Sequence, residues 1–201
     1  MQPAAGDLTA TGLPDLITMD LDLDLAFFPR LMDHRWDTGG LDLSALGPPK
    51  KCRYPDGRTI KTGGTLMEGS GEGRGRTKLQ LVDWDGTGSL DLLMGTGPQS
   101  ESAFHSSFVL LLRSGGVNAA GEPVFSLPEV LLFGESGEGL EFWRHCAHPT
   151  AVKWQEGKGL VVGSDMGTLE YYHEGTSSFG SAADVGAHER AFRTATQMSR
   201  L

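Results

Sequence analysis

Basic residues, cysteines and long apolar runs are all scarce in this chain, and each shortage closes off a class of function. Lys and Arg number 17 against 26 Asp and Glu, a formal net charge of -9. Nucleic-acid binding is therefore not expected, because phosphates are neutralised on a basic face. An acidic, well-solvated surface is the simplest meaning of that charge, and it leaves a neutral or cationic partner open. The two cysteines, Cys52 and Cys146, are too few for a disulfide framework and lack metal-finger spacing, although they could pair. No apolar run approaches the roughly 20 residues a membrane helix needs, so no membrane span is expected. The first residues, Met1 to Asp7, show no basic stretch followed by an apolar core. No signal peptide is visible, and the chain is expected to be intracellular or a piece of a longer secreted product.

Glycine is abundant instead. The 29 glycines among 201 residues keep no three-residue period, so they mark tight turns rather than a collagen-like helix. Between them lie short apolar runs: Leu79 to Val82, Leu90 to Met94 and Phe108 to Leu112. Runs of this length bounded by glycine read as strands. Val124 to Phe133 supplies a fourth, interrupted by Pro128, and Ser114 to Pro123 and Gly134 to Gly139 read as connecting turns.

The strands belong to a repeat. Asp83 to Asp91 aligns without gaps on Asp7 to Asp15, agreeing at both terminal aspartates and at a Thr-Gly pair. Leu16 to Phe28 aligns in the same way on Leu160 to Tyr172. The middle copy matches the third through Val82-Asp-Trp84 against Val152-Lys-Trp154, and Leu92 to Gly95 against Leu160 to Gly163. Met19 and Gly95 are then 76 residues apart, and Gly95 and Gly163 are 68 apart. Related propeller repeats run about 40 to 50 residues, so long inter-strand loops are expected here. Four antiparallel strands repeated radially is the propeller plan. The predicted fold class is all-β: β-propeller blades of four antiparallel strands over residues 1–174, in units of about 6–81, 82–151 and 152–174. Two blades and a partial third do not close a propeller, which needs about four or more. Further blades or self-association are therefore expected, because unpaired edges invite pairing with another chain. Residues 175–201 read as a Gly/Ser/Ala linker. Val185, His188, Ala191, Phe192, Ala195 and Met198 follow at helical spacing, which gives a short terminal helix or an unstructured end.

One loop carries chemistry. Asp83, Asp85, Thr87, Ser89 and Asp91 alternate with Gly86 and Gly88 among the intervening positions. Oxygen-bearing residues at every second position of a glycine-permitted turn can converge on one hard cation, and calcium takes about six to eight oxygens. The carboxylates of Asp83, Asp85 and Asp91 would be joined by the Ser89 carbonyl and the Thr87 hydroxyl or a water on it. A metal-free turn whose aspartates accept backbone N–H groups is the competing reading.

This loop resembles the Asp-x-Asp-Gly-Asp-Gly-x-x-Asp loop of FG-GAP/VCBS propeller repeats. The resemblance implies a Ca2+ ion that braces a blade, and a scaffold or binding module that recognises a protein or glycan through its loops. It also implies an extracellular setting if the chain is part of a longer one. Thr87 stands where the family has an Asp, so a weaker site is expected. In the first copy Thr9 and Thr11 replace carboxylates, leaving Asp7, Thr9 and Asp15 as a poorer candidate set. In the third, Lys153 stands where a carboxylate is needed, and no ion is expected.

Several lyase families also resemble this repeat type and use His, Tyr and Arg for β-elimination on uronic acids. His105, Arg113, Arg144, His145, Tyr171 and Tyr172 are the residues of this chain that would serve a polysaccharide lyase. No lyase motif matches them residue by residue. The tyrosines align with Phe27 and Phe28, which makes them strand residues first, and His145, Cys146 and His148 precede a proline in what reads as a packed turn.

Overall fold

The alternation of apolar and polar residues in short glycine-bounded runs is realised as strands throughout. The computed structural model describes residues 3–31, 46–61, 77–96, 107–133, 141–142, 147–154, 157–164, 169–174 and 189–194, and every regular element among them is a strand. The first sheet is an antiparallel meander of β1 (Ala4–Gly6), β2 (Asp15–Met19), β3 (Leu25–Phe28) and β4 (Lys50–Lys51). In the middle, β5 (Lys78–Val82), β6 (Asp91–Gly95) and β7 (Ser107–Leu112) pair in order. A small hairpin of β8 (Ser114–Val117) and β9 (Pro123–Phe125) interrupts the path before β10 (Glu129–Phe133) returns to pair with β7. The short β11 (Glu141–Phe142) also pairs with β7. The third unit is β12 (Ala147–Trp154), β13 (Gly157–Ser164) and β14 (Leu169–Glu174), again antiparallel.

The registers of the three units are equivalent. Gly6 pairs with Asp15 in β1–β2, and Val82 pairs with Asp91 in β5–β6. Leu16 pairs with Phe28, Leu92 with Leu112, and Leu160 with Tyr172. The gapless match of Leu16–Phe28 to Leu160–Tyr172 is thus a match of two hairpins with the same closing pair. The middle hairpin has a longer connection before it reaches that pair.

Side-chain alternation in β6 builds two cores. Leu92 and Met94 point to one face and meet Ile17, Leu25, Phe27, Cys52, Ile60 and Phe125. Leu93 points to the other and meets Trp84, Val109, Leu111, Leu160 and Tyr172. A strand buried on both faces has to be apolar at consecutive positions. Each fully buried Leu or Met contributes about 1.5–3 kcal/mol relative to exposure. Where β12 crosses this sheet the approach is so close that a Cβ on Gly95 would lie 1.9 Å from the Ala147 carbonyl oxygen. Gln80 Oε1 accepts a hydrogen bond from Ala151 N at 2.6 Å and fixes the same crossing.

Two sequence expectations are corrected. Glu189–Thr194 is a strand, β15, rather than part of a helix: it pairs parallel with β14 and antiparallel with β10. Two strand edges that would otherwise lack partners satisfy their backbone groups on it, and that outweighs a helical spacing of side chains. Ser114 to Pro123 is not a plain turn but most of the β8–β9 hairpin. Cys52, for its part, is a free, buried thiol, and Cys146 lies outside the described residues. The sheets of the described residues do not close on themselves, and no helix among them is long and apolar enough to cross a membrane. The expected linker at 175–186 and turn at 134–139 lie outside the described residues.

Candidate cation site

The loop Asp83 to Asp91 joins β5 to β6, and Asp7 to Asp15 joins β1 to β2 in the equivalent place. Their backbones follow one path. Gly12 and Gly88 take φ of 83° and 85°, while Ala10 and Gly86 take 54° and 76°. Gly12 N donates to Asp7 Oδ2 at 2.7 Å, and Gly88 N donates to Asp83 Oδ2 at 3.0 Å. The closing aspartates are held alike: Arg30 N donates to Asp15 Oδ1 at 2.8 Å and Ser114 N to Asp91 Oδ1 at 2.7 Å. Trp84 pins the middle loop to the second core, where Lys158 Nζ lies 5.7 Å from its ring centroid.

The loops part company at the second oxygen of the closing aspartate. Asp15 Oδ2 accepts Leu8 N at 3.0 Å, Thr9 N at 3.1 Å and the Thr9 hydroxyl at 3.0 Å. Thr9 therefore acts as a donor that closes its loop, which is the metal-free turn. In the middle copy Asp85 stands in place of Thr9, so a hydroxyl donor is exchanged for a second carboxylate. Asp91 Oδ2 is buried and meets no donor at hydrogen-bonding geometry.

Among the described residues one guanidinium faces the pair. Arg113 Nη1 lies 3.7 Å from Asp85 Oδ2 and 3.8 Å from Asp91 Oδ2, and its Nε lies 3.8 Å from Glu129 Oε1. These are ion-pair distances, too long for hydrogen bonds. Burial raises the Asp91 pKa and the Asp85 charge adds to the rise, against the Ser114 and Trp84 N–H groups and Arg113, which lower it. Asp85 is exposed, and its pKa is lowered, first by the Thr87 side chain, with the Thr87 N–H and Arg113 acting in the same direction. Thr87 N donates to Asp85 Oδ1 at 3.2 Å, and Ser89 N approaches Thr87 Oγ1 at 3.4 Å.

Among the described residues no group of three His, Cys, Asp or Glu side chains is close enough to hold a metal ion by itself. Asp85 and Asp91 face the same Arg113 nitrogen, whereas Asp83 is drawn onto Gly88. A cation placed here would meet two carboxylates, those of Asp85 and Asp91, with Thr87 and Ser89 on the exposed side of the loop.

The remaining candidates fall elsewhere. His105, Arg144, His145 and Cys146 lie outside the described residues. Tyr171 stands on β14 against Gly159, whose added Cβ would come within 2.7 Å of the tyrosine hydroxyl. Tyr172 is fully buried in the second core and bonds Glu170 through its hydroxyl. His148 lies in β12, opposite Gly163. The sequence does not single out Glu129, and it offers Arg113 only as a lyase residue. The loop motif ends at Asp91, so nothing in its spacing points to either. No protein-family model, no curated protein and no solved structure matches the chain.

Proposed function

We propose that this chain is a repeat module of the FG-GAP/VCBS propeller kind: a scaffold whose middle loop takes a calcium ion and whose loops present a surface to a protein or glycan. The supporting observation is the contrast between two loops of one backbone path. Asp15 has its second oxygen occupied by three donors, whereas Asp91 has a buried oxygen that meets none and a second carboxylate close by. Burying a carboxylate oxygen that meets only a guanidinium at 3.8 Å and no hydrogen-bond donor is costly, and a bound cation offsets that cost at the point where β5, β6 and β7 converge. Calcium supplies that charge when bound. Asp85 and Asp91 would hold it, and Thr87 and Ser89 would offer oxygen from the exposed side. In this role the ion fixes the blade and takes no part in a reaction.

Thermal unfolding and calorimetry with calcium chloride test the reading, comparing the parent chain with Asp85→Thr. A ligand present at about 100 times its Kd adds about 2.7 kcal/mol to the folded state. The parent should melt at a higher temperature in calcium than in chelator. Asp85→Thr recreates the donor of the first loop, so it should lose the calcium response and melt higher than the parent in chelator. Identical melting of the parent with and without calcium would remove the reading.

A further inference from the structure

We propose that Arg113 is a built-in competitor for the cation of this loop, so that the site alternates between a guanidinium-closed form and a metal-bound form, with Glu129 receiving Arg113 in the latter. The inference rests on the calcium reading above and adds its regulation.

Three observations carry it. The guanidinium is the positive group facing both Asp85 and Asp91, at 3.7 and 3.8 Å, so it occupies the side from which a cation would bridge them. It is held loosely, since all three of its carboxylate contacts are longer than a hydrogen bond, and its side chain is 26% exposed. It also has somewhere to go, because Glu129 Oε1, which belongs to β10 and not to the loop, already lies 3.8 Å from Nε. A like-charged divalent ion cannot share two carboxylates with a guanidinium at close range. Entry of one therefore requires the other to leave, and Glu129 keeps the departing arginine paired.

The repeat supplies an internal control. By the hairpin registers, in which Phe28 and Leu112 are equivalent, the residue matching Arg113 in the first unit is Pro29. There the loop has a threonine in place of Asp85, no carboxylate pair forms, and no cation is needed. The arginine accompanies the acidic pair.

Calorimetric titration with calcium chloride, paired with melting in chelator, tests this on the parent, Arg113→Gln and Glu129→Gln. Arg113→Gln should bind calcium about tenfold tighter, the scale expected for removing partly exposed ion pairs. In chelator it should melt lower than the parent. Glu129→Gln removes the alternative berth, so Arg113 stays on the aspartates and calcium binding should weaken. Should Arg113→Gln fail to fold, the Glu129→Gln shift decides alone, tighter or unchanged binding overturning the competition. If the parent binds calcium and Arg113→Gln binds it no tighter, the competition is overturned while the calcium site stands. If neither the parent nor Arg113→Gln binds, the calcium reading falls, and the inference with it. Binding by Arg113→Gln alone supports the competition and overturns calcium as a resident ion of the parent.

Discussion

At the scale of single residues, equivalent positions with one backbone geometry carry opposite electrostatics. Asp15 is fully buried and accepts four hydrogen bonds over its two oxygens. An amide in its place must turn its NH2 group toward one set of donors, and a hydrogen bond to a charged group is worth about 1.5–3 kcal/mol. Asp15→Asn should cost about 3 kcal/mol in urea unfolding. Asp91→Asn keeps its oxygen for Ser114 N and turns its NH2 to where no donor is met, so in chelator it should cost less than about 1 kcal/mol. Equal losses from the two substitutions would show that the loops are energetically alike. The Cys52 thiol is a simpler case: burial, with the Glu122 charge adding to it, pushes its pKa up to about 12. A thiol of that kind belongs to the packing, not to chemistry.

At the scale of elements, two features fix how hairpins close and stack. Gly95 faces β12 with no room for a side chain, and the obstacle is a backbone carbonyl that cannot rotate away. Gly95→Ala should cost about 3 kcal/mol, at the upper end of overpacking effects, and would be read as a fall in the urea midpoint at constant slope. The hairpin Asp20–Asp24 is tied to β4 by Lys51, which bonds Asp20 and lies 2.9 Å from Asp24, while Lys61 lies 3.0 Å from Asp24. Burial acts to raise both carboxyl pKa values, but the bonds from Lys51, from Lys61 at Asp24 and from backbone N–H groups at Asp20 outweigh it, so both fall below the ordinary 3.8. A lowered carboxylate pKa gives stability that is present above the unfolded value and lost as pH falls through the folded one. The Lys51 pKa is raised, chiefly by its hydrogen bonds to Asp20 and Asp24, so its contribution is complete below its unfolded value of 10.5 and is lost only at still higher pH. Urea unfolding between pH 2 and 7 should therefore show an acid limb beginning near pH 4 that is shallower in Lys51→Met. Parallel limbs in the two proteins would exclude the cluster as its source.

At the scale of the whole molecule, the middle sheet is a slab with a core on each face, and the first and third units cover it. β15 lies between β14 and β10, giving the strand order β12-β13-β14-β15-β10-β7-β6-β5. On the propeller reading the outer units seek further blades, from a longer chain or from a second copy. Size-exclusion chromatography with light scattering should then return a mass above 21.5 kDa, and a monomer of that mass would count against association.

The division between what the sequence determined and what the fold decided follows from the range of the forces involved. Strand positions, hairpin registers and the turn geometry at Gly12 and Gly88 are local, set by apolar alternation and by backbone conformations that glycine adopts freely. The sequence therefore carried the β class, the three equivalent hairpins and the loop Asp83 to Asp91. It could not carry the end of the chain, because whether Glu189–Thr194 extends as a strand depends on the two edges it meets. Nor could it show which oxygen of Asp91 is left without a donor, or that Arg113 and Glu129 face it. Those groups come from the turn after β7 and from β10, and only the closing of the β6–β7 hairpin and the return of β10 bring their charges within 4 Å of one another. A charge so placed acts across space, and its effect depends on burial that no spacing along the chain records.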